Sequence, residues 1–194
     1  MQSHFYAILS RMKYIKRWGL MRNAREENLS EHSLEVAFIA HALAVISNKR
    51  FGGKVDANAV AVAAMFHDTS EILTGDLPTP IKYYNPEIKS AYKQIEAIAE
   101  SELITMLPPD MRDEFEGIYA PDMTSLRFIK AADKLSALIK CIEEKNMGNN
   151  EFESAEEATR KALENMDMPE VEVFLDEFMD SFSMTLDEQR QIKK

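Results

Sequence analysis

Apolar residues in this chain recur at spacings of three and four, and no stretch alternates apolar with polar in the two-residue period of a half-buried strand. That pattern predicts an all-α fold. Glycine and proline, at 6 and 7 residues, are too scarce for anything but breaks between helices. Phe5, Ile8, Leu9, Met12 and Ile15 mark a first helix over residues 3–15, followed by a loop holding Arg17-Trp18-Gly19. Asn28 or Ser30 can cap a second helix running to about Asn48, where Phe51-Gly52-Gly53 breaks it. Asp56 opens a third, apolar on nearly every side from Val60 to Phe66 and therefore expected at the centre of the fold, continuing to Gly75. Asp76-Leu77-Pro78-Thr79-Pro80 follows as a stiff loop, because two prolines cannot continue a helix.

Further on, Ile88 to Met106 predicts a long helix ended by Pro108-Pro109, and a short one fits residues 110–118. Another is expected from Thr124 to Glu144, with Leu126, Ile129, Ala132, Ser136 and Ile139 inward, and Gly148-Asn149-Asn150 ends it. Two amphipathic helices, over 151–165 and 169–180, complete the pattern, the second with Pro169 in its first turn. No Pro/Gly/Ser-rich linker divides the chain, so residues 1–180 are read as one domain and residues 181–194 as a frayed polar tail.

The chain of 194 residues has a net charge of −10, a poor match to a polynucleotide, whose binding demands a basic face. The average conceals an asymmetry: residues 1–25 contain no Asp or Glu, yet carry Arg11, Lys13, Lys16, Arg17, Arg22 and Arg25. An anion is therefore to be sought first against this basic start. One cysteine, Cys141, excludes an internal disulfide and fits a reducing compartment. No apolar run approaches the roughly 18–20 residues that span a bilayer, and the start lacks the order of a signal peptide. A cytoplasmic location and no membrane partner are expected.

Four polar residues stand out against the apolar helices. His67-Asp68 ends the most apolar segment, where an unpaired charge is costly. Asp133 shares a helical face with Ile129 and Leu126, and His32 opens the second helix. Two imidazoles and two carboxylates suit a borderline-to-hard divalent ion with open positions for water, and the lack of thiolates argues against structural zinc. The plainer alternative makes each histidine a satisfied core residue and pairs Asp133 with Lys130 or Lys134.

The order His32, His67-Asp68, Asp133 resembles the H…HD…D signature of HD-domain metal-dependent phosphohydrolases, which are all-helical. Its flanks sharpen the likeness: Lys16-Arg17-Trp18-Gly19-Leu20-Met21-Arg22-Asn23 before Ser30-Glu31-His32-Ser33, then Phe66-His67-Asp68-Thr69-Ser70-Glu71 running into Leu73-Thr74-Gly75-Asp76-Leu77-Pro78-Thr79-Pro80-Ile81-Lys82. Together these resemble the bacterial HD-domain 5′-deoxynucleotidases, over about residues 1–150. Gly19 departs from the pattern, which has proline after the tryptophan, and a looser loop is expected there. The resemblance implies an HD-type helical bundle with the metal site between central helices. It also implies one divalent transition ion such as Co²⁺ or Mn²⁺ held by His32, His67, Asp68 and Asp133, substrate contact by Arg17, Trp18, Asp68 and the loop Asp76-Leu77-Pro78-Thr79, and a homodimer.

The residues themselves suit that chemistry. Phosphomonoester hydrolysis is among the slowest uncatalysed reactions, so a site must activate water and neutralise developing charge. A divalent ion does both, and a guanidinium adds a bidentate clamp, for which Arg17 is the candidate. Glu71, four residues after His67, would share its face on a continuing helix and handle the attacking water. Asp76 would bind the sugar 3′-hydroxyl or protonate the leaving oxygen. Trp18 would pack on the sugar and exclude a 2′-hydroxyl, or serve as a core anchor. Competing readings are an HD enzyme acting on a nucleoside tri- or tetraphosphate and a non-catalytic nucleotide- or metal-sensing module.

Overall fold

Helix ends in this chain are set by side chains that satisfy orphan amides. The computed structural model describes residues 2–82 and 84–190. In it Asn28 caps α2 (Leu29–Arg50), accepting from the amides of Ser30 and Glu31 while Glu31 reaches back to its own. Asp56 caps α3 (Ala57–Phe66), and Asp122 caps α8 (Met123–Asn146). Asn85 caps α6 (Pro86–Thr105), with proline at its first position. The first predicted helix is α-helical only over Phe5–Leu9 (α1) and tightens to a 3₁₀ turn over Ser10–Tyr14.

The main core lies where α2, α3 and α8 meet. Val36, Ala40 and Leu43 of α2 pack with Val60 and Ala64 of α3 and with Ala131, Leu135 and Leu138 of α8, all fully buried. Helices α9 (Glu153–Glu164) and α10 (Pro169–Glu177) close one side of it through Leu163, Val171 and Phe174. A second cluster joins Phe5 of α1 to Leu103 of α6 and to Leu107 just past its end, with Phe66 and Phe115 against it; Phe115 lies on α7 (Arg112–Tyr119). No strand occurs among the described residues; an isolated bridge pairs Lys16 with Asn28. Helix α2 is long and apolar enough to cross a membrane by length and composition, but more than half of its apolar window is packed inside this core.

Two expectations need correction. The third helix does not run to Gly75: it stops at Phe66, and residues 67–70 form turns before α4 (Glu71–Thr74). The cause is local competition for carbonyls. His67 Nδ1 donates to Ala64 O at 2.8 Å and Thr69 Oγ1 to Phe66 O at 2.9 Å, taking two acceptors a continuing helix would need. Gly75 then ends α4 at φ +75°, a left-handed backbone that favours glycine. The polar end is not irregular throughout: Phe182 packs on the main core, and a capping box of Thr185 and Glu188 starts α11 (Leu186–Gln189). Residues 191–194 of the expected tail lie outside the described residues.

Candidate active site

Breaking the helix at His67 lets three separate parts of the chain converge. His32 sits in the first turn of α2, His67 and Asp68 in the turns after α3, and Asp133 in the middle of α8. The His32 and His67 rings lie 5.4 Å apart. One oxygen, Asp68 Oδ2, is 3.5 Å from His32 Nε2, 3.1 Å from His67 Nε2 and 3.5 Å from Arg17 Nη1. Asp133 Oδ1 lies 3.2 Å from His32 Nε2, so this imidazole is its partner rather than Lys130 or Lys134. One ligand atom each from His32, His67 and Asp68 falls within 4.8 Å of the others.

The chemistry of this donor set calls for a cation. Both Nε2 atoms are buried and neither forms a hydrogen bond, despite carboxylate oxygens 3.1–3.5 Å away. His67 has its Nδ1 proton committed to Ala64 O, so in the neutral imidazole Nε2 presents a lone pair to Asp68. Lone pair facing lone pair in a buried pocket is unfavourable unless positive charge lies between them. Burial disfavours a charged His67, but the Asp68 charge outweighs it and lifts this group to about 9. Burial likewise opposes ionisation of Asp133, yet the His32 contact brings it down to about 2. A divalent ion fits the same electrostatic demand with two imidazoles, two carboxylates and no thiolate.

Arg17 is the fixed cation at the rim. Its Nε donates to Glu27 Oε2 at 3.3 Å while Nη1 faces Asp68, and its charge is further held by Asp133 and Asp76 against the cost of burial. Trp18, at φ +58°, donates from Nε1 to the same Glu27 oxygen at 2.9 Å and rests its ring 5.3 Å from that of Phe152. The sequence left a sugar platform and a core anchor open for it, and the Phe152 contact makes it at least an anchor. Arg17 N donates to Glu27 O and Leu29 N to Ile15 O, closing the loop at its base, and Met21 N donates to Trp18 O inside it.

Glu71 opens α4 rather than continuing α3, yet it remains at the site. It is buried, and Oε2 has no partner. Burial, then the charges of Asp68 and Asp76, push its carboxyl up to about 9 against the pull of Lys82, whose Nζ is 3.8 Å from Oε1. Asp76 is half-buried just past Gly75; burial raises its carboxyl, opposed by Arg17 and the Trp18 amide. Leu77 and Pro78 are half-buried beyond it, and exposed Thr79 starts α5 (Thr79–Lys82). Lys82 ties this short helix to Glu96 of α6 at 2.8 Å. His4 and His41 lie outside the cluster.

Sequence reasoning missed Glu27, Glu35 and Lys82, and took Ser136 only as part of an inward face. A signal existed for two of them. Glu35 lies three residues after His32 and Ser136 three after Asp133, so each shares a helical face with a candidate ligand. Glu27, on an irregular segment, has no such periodicity.

Comparison with known proteins matches this arrangement to one family. A 5′-deoxynucleotidase of Vibrio vulnificus is 52% identical over 190 residues, covering 96% of this chain and 98% of its own. One of Photobacterium profundum is 52% identical over 194 residues with the same coverage. Among solved structures, an HD-domain phosphohydrolase from Listeria innocua superposes with a TM-score of 0.78 at 24% identity, covering 92% of this chain and 88% of that one. A cyanophage S-2L HD phosphohydrolase, bound to dA and one catalytic Zn²⁺ ion, gives 0.60 at 23% identity, covering 94% and 96%. The fold is thus that of the HD phosphohydrolases, and the family model for YfbR-like 5′-deoxynucleotidases matches residues 4–182, almost all of the helical body and every residue of the cluster. By that match and by half-identical relatives along its whole length, the chain belongs to the YfbR-like 5′-deoxynucleotidase family.

Proposed function

We infer that the protein hydrolyses deoxyribonucleoside 5′-monophosphates to the deoxyribonucleoside and orthophosphate with a bound divalent metal ion. The observation that carries the reading is the pair of buried, unpartnered Nε2 atoms facing Asp68 and Asp133, with Arg17 alongside. In our reading His32, His67, Asp68 and Asp133 hold the ion. When bound, it lowers the pKa of a water and polarises the phosphate. Its N/O donor set suits Co²⁺, Mn²⁺ or a similar transition ion.

Arg17 clamps a non-bridging phosphate oxygen, held in place by Glu27. Glu71, the buried acid with a free oxygen, faces the attacking water; the positive charge of a bound ion would favour its ionised form, and the carboxylate then takes the proton of that water. Asp76 faces the sugar end, where it hydrogen-bonds the 3′-hydroxyl or protonates the 5′-oxygen. Trp18, with Leu77, Pro78 and Thr79, walls the sugar. Among the described residues, Arg17 pairs with Asp68, and Lys82 is already paired with Glu96 and Glu71, an arrangement that suits a monophosphate better than a tri- or tetraphosphate. We also propose a homodimer and a cytoplasmic location.

A phosphate-release panel of ribo- and deoxyribonucleotides with Co²⁺, Mn²⁺, Mg²⁺ and Zn²⁺ tests the reading. Orthophosphate is expected from deoxyribonucleoside 5′-monophosphates only with metal present, and not from Asp68→Ala. Pyrophosphate or triphosphate as product would favour the polyphosphate reading. No release above a metal-free control would favour a sensor module.

A further inference from the structure

His32 is fully buried, with Nδ1 3.0 Å from Ser136 Oγ on α8. Ser136, also fully buried, donates its hydroxyl proton to Glu35 Oε2 at 2.6 Å. A hydroxyl has one proton. With that proton on the Glu35 side, Ser136 offers His32 only lone pairs, so Nδ1 must be the nitrogen that carries hydrogen. His32 Nε2 then presents its lone pair toward Asp68 and Asp133. His67 reaches the same state by another route, donating Nδ1–H to the carbonyl of Ala64.

The two supports are not equivalent. A carbonyl can only accept, so Ala64 is sufficient for His67. A serine alone could donate to Nδ1 and allow the Nε2–H tautomer, which cannot bind a metal through Nε2. A carboxylate on the far side of the serine removes that choice.

We propose that Ser136 and Glu35 form a relay that locks His32 in its metal-binding tautomer, both acting as positioning residues for the ion. Glu35 comes from α2, three residues after His32, and Ser136 from α8, three after Asp133, so the relay also fixes the register between two ligand-bearing helices. The inference rests on the metal reading above.

Zinc serves as a diamagnetic probe, read by chelator competition and by imidazole ¹⁵N NMR. Wild type should bind Zn²⁺ with His32 ligated through Nε2 and an exchange-protected proton on Nδ1. Ser136→Ala should weaken Zn²⁺ by about 10–100-fold, as loss of such supporting hydrogen bonds does, and lose that protected proton, while metal-free Ser136→Ala still unfolds cooperatively. Glu35→Gln, at a half-buried position with volume kept, frees the serine to donate either way. It should lose several-fold in affinity and show mixed His32 tautomers in the metal-free protein at pH 8. Unchanged affinity with His32 still Nδ1-protonated in Glu35→Gln would overturn the relay even if Ser136→Ala fails to fold. Wild type that binds no Zn²⁺ at the His32 and His67 resonances would instead remove the metal reading, and the relay with it.

Discussion

Among single residues, Glu71 carries the sharpest conflict between stability and chemistry. Its carboxyl is buried, lacks a partner on Oε2 and faces the charges of Asp68 and Asp76, so in the metal-free protein it keeps its proton up to about pH 9. In the unfolded chain it ionises near 4.5. Between those values the unfolded state binds fewer protons than the folded one, so stability from this group is full below about pH 4.5 and declines as pH rises toward 9. Glu71→Gln removes the titration. The metal-free variant should show a flatter dependence of Tm on pH from 5 to 9 than wild type, read by calorimetry. With metal, the same substitution should retain the ion and lose about 10²–10⁴-fold in kcat, the usual weight of a positioned proton acceptor. Loss of the ion with a parallel loss of kcat would make Glu71 structural instead.

At the scale of elements, the loop bearing Arg17 and Trp18 depends on the far end of α8. Glu144, fully buried, accepts from the amides of Ala24 and Arg25 and from Asn149, and pairs with Lys140, which also donates to Arg25 O. Burial opposes its charge, but the Lys140 contact and the two amides outweigh this and hold it near 2. A lowered folded value means stability present above about pH 4.5 and lost as pH falls toward 2. Glu144→Gln should therefore narrow the Tm difference between pH 6 and pH 2.5. Lys140→Met, leaving the carboxylate buried and unpaired, should cost about 3–5 kcal/mol at pH 7, measured by denaturant unfolding. These tethers were not legible in the sequence, because the i,i+4 spacing of Lys140 and Glu144 is the same for an exposed pair as for a buried one. What was legible is the rest of the scaffold: the caps at Asn28 and Asp56 and the breaks at Gly75 and Pro108-Pro109 act as their chemistry dictates. The end of α3 was misread because periodicity reports which face is apolar, and side chains competing for carbonyls at His67 and Thr69 leave no mark on it.

Over the whole molecule, the basic opening separates into parts. Arg11, Lys13, Lys16, Arg22 and Arg25 are exposed, Lys16 pairing with Glu26 and Arg22 with Glu151, and Arg17 alone of the six turns inward to the carboxylates. The acidic remainder supplies Asp68, Asp133, Glu71 and Asp76 opposite it. The outer face is less balanced. Helix α2 carries His32 inward and α3 leads into His67, yet the two helices expose Leu34, Phe38, Val62 and Met65, with Phe38 at 68%. Leu34 and Phe38 lie one turn apart on α2, and Val62 and Met65 three residues apart on α3, so each of these packed helices turns an apolar pair to solvent, where a partner could cover it. A second copy of the chain on this face would cover it and brace the helix that bears His32 and the one that leads into His67. Light scattering on a sizing column should then report a dimer for wild type, and Phe38→Glu should shift it toward monomer with helical circular dichroism unchanged. Because the substitution lies on the solvent side of α2, metal binding in the monomer should survive. A wild-type monomer, or a dimer untouched by Phe38→Glu, would place the interface elsewhere or remove it.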